Sequence, residues 1–149
     1  MCHFIDLIHF ITGSLVTRVY AEAVSSSNQD LINDDSVFIY LRFADGSNGS
    51  IAYLAEGDRA LPKERIEVFG SGKSFVIDDF RSAATFQNGR ETKTKLREQD
   101  KGQKDEVRAV CAVVREGKPA PITLDDLATT TRATFRVLES LRTGLPVEV

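Results

Sequence analysis

Apolar residues along this chain change their spacing several times, and each change marks an element. Over residues 1–14 they recur at helical spacing. At about 100° per residue Leu7, Ile11, Phe4 and Ile8 form one arc, with Phe10 and His3 at its edge and Asp6 next round. Gly13 ends the helix, because glycine takes the left-handed conformation that other residues resist. Leu15 to Ser25 is rich in β-branched residues and predicts a strand running into Ser25-Ser26-Ser27-Asn28, and a polar stretch from Asn28 to Asp35 follows as a connection. Val37, Ile39, Leu41 and Phe43 then alternate with Phe38, Tyr40, Arg42 and Ala44, the period of a second strand. Asp45-Gly46 and Asn48-Gly49 mark a hairpin, and Ser50 to Ala55 returns antiparallel.

After a loop over Glu56 to Lys63, two more hairpins are predicted. Arg65–Phe69 and Ser74–Ile77 flank Gly70-Ser71-Gly72-Lys73, and Ala83–Phe86 and Glu91–Leu96 flank Asn88-Gly89. The last of these strands is polar and cationic, as edge strands often are. Asp105 to Arg115 carries Val107, Val110, Cys111 and Val114 at helical spacing, with Cys111 read as a reduced core thiol. Thr123 with Asp126 resembles a capping box for a helix running to Leu141, with Leu124, Leu127, Thr131, Phe135, Leu138 and Leu141 near one side. One helix, about six strands in hairpins and two closing helices predict an α+β fold: a largely antiparallel open sheet with its helices packed on one face.

Both faces of the Val37–Ala55 hairpin carry apolar side chains. One covers the helices, and the other offers Phe38 and Tyr40 with either Ile51 or Tyr53, since the sequence leaves the register open. A solvated antiparallel face should be polar, so an apolar second face predicts a sheet-to-sheet homo-oligomer.

Composition adds bounds. A length of 149 residues suits one domain with a full core, and 42% hydrophobic with 28% charged residues is ordinary for a soluble globular protein. The net charge of −3 argues against nucleic acid, which calls for a basic footprint. No run approaches the ~18 apolar residues of a membrane span, and two cysteines far apart give no disulfide framework. A cytoplasmic protein is expected.

Few residues suggest chemistry. His3 and Asp6 share a helix face, the arrangement of a positioned acid or base. On spacing alone, a half-buried histidine with a salt-bridge partner is the plainer reading. His3, Asp6 and His9 spread over about 120° of helix surface, too wide to converge on one ion, so no metal is expected. Gly70-Ser71-Gly72-Lys73-Ser74 is not a phosphate loop: Glu67 stands where the first glycine should be, and Phe75-Val76-Ile77 continues as a strand rather than a helix. No G-x-G-x-x-G follows a strand, so no cofactor-binding residue is assigned in this chain. Arg81 and Lys101 have the reach to touch a polar substrate, but solvated surface charge is the simpler role for both.

The run Cys2-His3-Phe4-Ile5-Asp6-Leu7, then Phe10 and Gly13, resembles the first helix of the C-terminal domain in Gfo/Idh/MocA-type oxidoreductases. Asp100-Lys101-Gly102 before a helix, Gly117-Lys118-Pro119 with Pro121-Ile122 after it, and Ser140 to Val147 at the end follow the same domain in the same order. The resemblance implies one domain over residues 1–149, the substrate-binding and oligomerisation half of an enzyme whose N-terminal dinucleotide-binding domain is absent from this chain. It also implies NAD or NADP in the full-length protein, held mainly by that absent domain, and a sugar, cyclitol or related polyol as substrate. His3 takes the family's acid/base position beside the substrate hydroxyl, and Asp6 that of a residue orienting it. The isolated chain is expected to bind no cofactor and to be inactive. A stand-alone binding or scaffold module that uses its open sheet face is the alternative; an upstream strand, glycine-rich turn and helix in the reading frame would decide for the enzyme.

Overall fold

The computed structural model describes residues 1–25 and 35–149 of the chain. The polar connection expected over residues 28–35 therefore lies almost wholly outside the described residues. The chain divides into two compact units, one of Met1–Glu56 with Ile122–Val149 and one of Gly57–Pro121.

In the first unit, α1 (Cys2–Thr12) leads into β1 (Val16–Ala23), β2 (Val37–Phe43) and β3 (Asn48–Tyr53), and α3 (Leu124–Thr143) with β8 (Val147–Glu148) closes it. The strands form an antiparallel sheet in the order β3-β2-β1-β8. Along β2 burial alternates without exception, Val37, Ile39, Leu41 and Phe43 inward and Phe38, Tyr40 and Arg42 outward. In β1 the buried Val16 and Val19 are an odd number of residues apart. A register shift at Thr17 reconciles them: Val16 pairs with Phe43, and Arg18 already pairs with Arg42. That extra residue is what a β-bulge supplies, and it keeps both valines in the core.

The core gathers Ile5 from α1, the inward residues of β1 and β2, Ile51 from β3, and Ala133 and Val137 from α3. Two sequence expectations shift here. Ile5, not Leu7, is the completely buried residue of α1, and Phe10 at the edge of the expected arc is 81% exposed. On α3 the large residues Leu124, Leu127, Phe135 and Leu138 point outward, and the inward stripe is Thr130, Ala133, Val137 and Ser140. Small residues there let the helix backbone approach β1, where the Ser140 hydroxyl accepts from the Ala21 amide at 3.0 Å and donates to the Leu145 carbonyl at 2.7 Å.

The register of β2 with β3 answers the open question of the hairpin. Ile39 pairs with Ile51, Phe38 with Ala52 and Tyr40 with Ser50. Ile51 belongs to the core, so the residues beside Phe38 and Tyr40 on the outer face are Ala52 and Ser50, with Tyr20 and Glu22 opposite on β1.

The second unit is a meander of β4 (Arg65–Gly70), β5 (Lys73–Asp78), β6 (Ser82–Gln87) and β7 (Arg90–Lys95), followed by α2 (Gln103–Glu116). Ser71 and Gly72, and likewise Asn88 and Gly89, both have positive φ, the signature of a two-residue type I′ hairpin turn. Asp79 and Phe80 take the same left-handed conformation between β5 and β6. Bonds hold them there: Gln99 Nε2 donates to the Asp79 carbonyl and carboxylate at 2.9 Å each, and the Asp100 amide donates to the Phe80 carbonyl at 3.1 Å. Helix α2 buries none of its residues completely, and Cys111 is exposed rather than a core thiol. The fold is α+β and antiparallel as expected, and among the described residues it has eight strands in two four-stranded sheets where about six in one were expected.

Candidate functional site

Helix α1 carries the candidate chemistry, and its two ends are defined differently. Met1 caps the N-terminus without a side-chain bond, whereas Gly13 closes the C-terminus at φ 62° with its amide donating to the His9 carbonyl. The helix lies along α3 with Asp6 opposite Thr130 and His9 opposite Asp126, so the two run antiparallel.

His3 sits in the first turn and is exposed. Its ring tilts against that of Phe4, with centroids 4.1 Å apart, and Phe4 in turn meets Tyr53 of β3 edge-on at 6.3 Å. Asp6 is half-buried and accepts from the Thr130 hydroxyl at 3.4 Å. A hydroxyl on α3 therefore engages the carboxylate expected to orient His3.

The strongest polar constellation on α1 is His9. Its side chain is only 12% exposed; Nδ1 lies 2.7 Å from the Ser14 carbonyl and Nε2 lies 3.1 Å from Asp126 Oδ1. The bond to the Ser14 carbonyl, and then that to the Asp126 carboxylate, raise its pKa above the ordinary imidazole value, against a smaller opposing effect of burial. The Asp126 carboxyl is held below its usual range, first by its hydrogen bond with Thr123 and then by that with His9. Asp126 completes the expected capping box: Oδ2 accepts from the Thr123 amide at 3.1 Å and from its hydroxyl at 2.6 Å, while the Asp126 amide donates to Thr123 Oγ1 at 3.1 Å.

Sequence reasoning considered His9 only as a metal ligand. Both of its ring nitrogens are engaged by Ser14 and Asp126, and among the described residues no group of three histidine, cysteine or acidic side chains is placed to hold an ion. The available signals were the basic residue in the last turn of α1 and the acidic residue in the first turn of α3, where helix dipoles favour those charges. In the second unit, Lys101 and Arg81 are both paired, with Glu64 at 2.7 Å and Asp79 at 3.1 Å, and Lys101 also lies over the Phe80 ring. Gly70 to Lys73 is a hairpin turn between β4 and β5 and presents no helix N-terminus to a phosphate. That turn therefore offers a dinucleotide no cradle. Among the described residues no helix is long and apolar enough to cross a membrane.

The profile of the GFO/IDH/MocA C-terminal domain matches residues 1–76. The comparison with curated proteins gives no match. Solved structures similar to this chain include an oxidoreductase from Agrobacterium radiobacter in complex with NAD+, L-tartaric acid and magnesium, at TM-score 0.80 and 15% identity over 99% of this chain. An aldose-aldose oxidoreductase from Caulobacter crescentus aligns over 99% of the chain at TM-score 0.78 and 16% identity. The UDP-N-acetylglucosamine 3-dehydrogenase of Acidithiobacillus ferrooxidans aligns over 95% at TM-score 0.76 and 15% identity. This chain covers 47%, 45% and 45% of those three chains, less than half of each.

Proposed function

This chain belongs to the GFO/IDH/MocA C-terminal domain family, and on that premise we propose that it is the substrate-binding and oligomerisation half of a cytoplasmic NAD(P)-dependent oxidoreductase acting on a sugar, cyclitol or related polyol. The observation that carries the reading is the first helix: His3 is exposed at its start, in a chain that covers less than half of each of those three oxidoreductases. The aldose and the nucleotide sugar of two of those neighbours support a polyhydroxylated substrate.

This chain's own contribution is to hold the polyol and move one proton. A ring nitrogen of His3 accepts the proton of the substrate hydroxyl when that carbon is oxidised, and returns it in the reverse direction. Asp6, kept in place by Thr130, orients the ring. Phe4 and Tyr53 supply an apolar flank beside the imidazole, suited to the C–H face of a sugar. The nicotinamide cofactor is assigned to an N-terminal dinucleotide-binding domain outside these residues, so this chain alone neither binds it tightly nor turns over.

The outer face of the first sheet serves assembly. Phe38 and Tyr40 are about half exposed on it beside Ala52 and Tyr20, an apolar surface that a second copy would cover. The testing experiment screens the protein joined to its dinucleotide-binding domain against polyols with NAD and NADP, with His3→Ala beside it. A loss of about 10²- to 10⁴-fold in kcat is expected for the loss of an acid/base. Undiminished turnover would remove His3 from the mechanism. Tyr40→Glu should convert the oligomer to monomer in sedimentation, and an unchanged mass would remove the sheet face from assembly.

A further inference from the structure

The proton count on His9 follows from what surrounds it. Ser14 offers a carbonyl oxygen to Nδ1 and Asp126 a carboxylate oxygen to Nε2, and neither group can donate. A neutral imidazole carries one N–H and would leave a nitrogen lone pair facing one of these oxygens. Only the imidazolium, with two N–H donors, satisfies both. The two helix ends favour the same charges: His9 lies in the last turn of α1, where a cation is stabilised, and Asp126 in the first turn of α3, where an anion is. The charged groups bearing on the ring are Asp126 from α3 and Asp6 from α1 itself, both acidic, and from the turn after α1 the Ser14 carbonyl.

We propose that His9 is a positioning residue: as an imidazolium it bridges the C-terminus of α1 to the N-terminus of α3 and so fixes the helix that presents His3 and Asp6. His9 lies less than two turns along from His3, and Asp6 lies between them with its own tie to Thr130. The Ser14 bond holds the ring against the end of its own helix and the Asp126 bond ties that end to α3, and the direction in which His3 points follows the rotation of α1. The catalytic part of this inference rests on the proposed role of His3, whereas the bridge itself does not.

The sign of the pH dependence follows. A histidine whose folded pKa lies above its unfolded value, near 6.5, adds stability that is complete below that unfolded value. The contribution is lost as pH rises through the folded value. Loss of the charge should loosen α1 on α3 and change the setting of His3.

The test is a pH titration of the imidazole nitrogens by 15N-detected NMR on this chain, which has only two histidines. His9 is expected to keep protons on both nitrogens beyond the ordinary imidazole midpoint, and the His3 ring and Asp6 amide signals should move with the His9 midpoint. Asp126→Asn should bring that midpoint back toward the ordinary value. In the protein joined to its dinucleotide-binding domain, His9→Gln is expected to lower kcat about tenfold with little change in KM for the polyol, and to remove this step from the pH profile. A His9 midpoint at or below the ordinary value, or His3 signals indifferent to it, would overturn the proposal even if His9→Gln failed to fold. The two readings fail separately: full turnover in His3→Ala removes the acid/base role and leaves the bridge, and an ordinary His9 midpoint beside an inactive His3→Ala removes the bridge and leaves His3.

Discussion

Gly49 sits in β3 directly beneath α1, and adding one methyl there should show how tightly the candidate helix is seated. A Cβ built on Gly49 would lie 3.0 Å from Ile8 Cγ2, 3.2 Å from Ile8 Cδ1 and 3.6 Å from Phe43 Cε2. The Phe43 contact is comfortable, but the two Ile8 contacts fall short of the ~3.5–4.0 Å optimum between carbons. Ile8 cannot easily yield, because Cγ2 is attached to its Cβ and a β-branched residue in a helix is nearly confined to one χ1 rotamer. The helix itself must therefore lift by a few tenths of an ångström. Overpacking of this kind costs about 1–3 kcal/mol, against a gain of about 0.4–1 kcal/mol from stiffening the unfolded chain when glycine becomes alanine. The expected net effect of Gly49→Ala is a destabilisation of about 1 kcal/mol. With a urea m-value of about 2 kcal/mol/M this lowers the midpoint by roughly 0.5 M.

The same geometry predicts that the sign reverses in a second background. Ile8→Ala removes both Cγ2 and Cδ1, so in that background Gly49→Ala meets only the comfortable Phe43 contact and keeps the entropic gain. The double-mutant cycle should therefore show a coupling of about 1.5–2 kcal/mol, within the range for residues in direct contact. Urea unfolding of the four proteins, followed by far-ultraviolet circular dichroism, measures it. Equal effects of Gly49→Ala in the two backgrounds would refute the close seating of α1 on β3.

Ser140→Ala leaves the Ala21 amide without its acceptor inside the core and should cost about 1–3 kcal/mol; faster hydrogen exchange at Ala21 than at its neighbours in β1 would identify the cause. Thr123→Ala removes the cap of α3 and should cost about 0.5–2 kcal/mol in the same unfolding assay, and no loss would mean the capping box adds nothing. On the acid side, Asp126 has a folded pKa below its unfolded value. Its contribution is therefore present above the unfolded value and lost as pH falls through the folded one. Asp126→Asn should flatten that limb of the stability profile, from the ordinary carboxylate range downward, and an unchanged limb would assign acid sensitivity to other carboxylates.

Where an element's own neighbours decide its structure, it was legible in the sequence. The alternation of β2 returns residue for residue in its burial, and Asn88-Gly89 turns as its dipeptide requires. Thr123 and Asp126 cap α3 because three residues suffice to define the box. Helix orientation was another matter. Periodicity locates an apolar stripe on α3 without saying which side faces the sheet, and the core took the stripe of Thr130, Ala133, Val137 and Ser140 instead of the larger leucines. Inward-facing valines, isoleucines and leucines of β1 and β2 already fill that space. What the sheet needed from α3 was close approach, which small residues permit. The division of the strands into two sheets depends on long-range pairing, and a hairpin reading lacks that information.

The candidate site shows the same division more sharply. His3 and Asp6 were legible because three residues of helix bring them to one face. His9 and Asp126 are 117 residues apart, and no local rule joins them. Each nonetheless obeyed a rule about its own helix end, a base in a last turn and an acid in a first turn. Complementary charges at opposite helix ends attract once tertiary packing makes the ends neighbours, so two local signals become one interaction. The packing is supplied by Ile5 and Ala133, fully buried in the core on which both helices rest. The apolar contacts thus bring α1 and α3 together, and in the proposed bridge the His9–Asp126 pair sets the rotation at which they stop. An exposed histidine at the far end of α1 inherits its direction from that rotation, which makes the electrostatics of a distant helix end part of the geometry of the site.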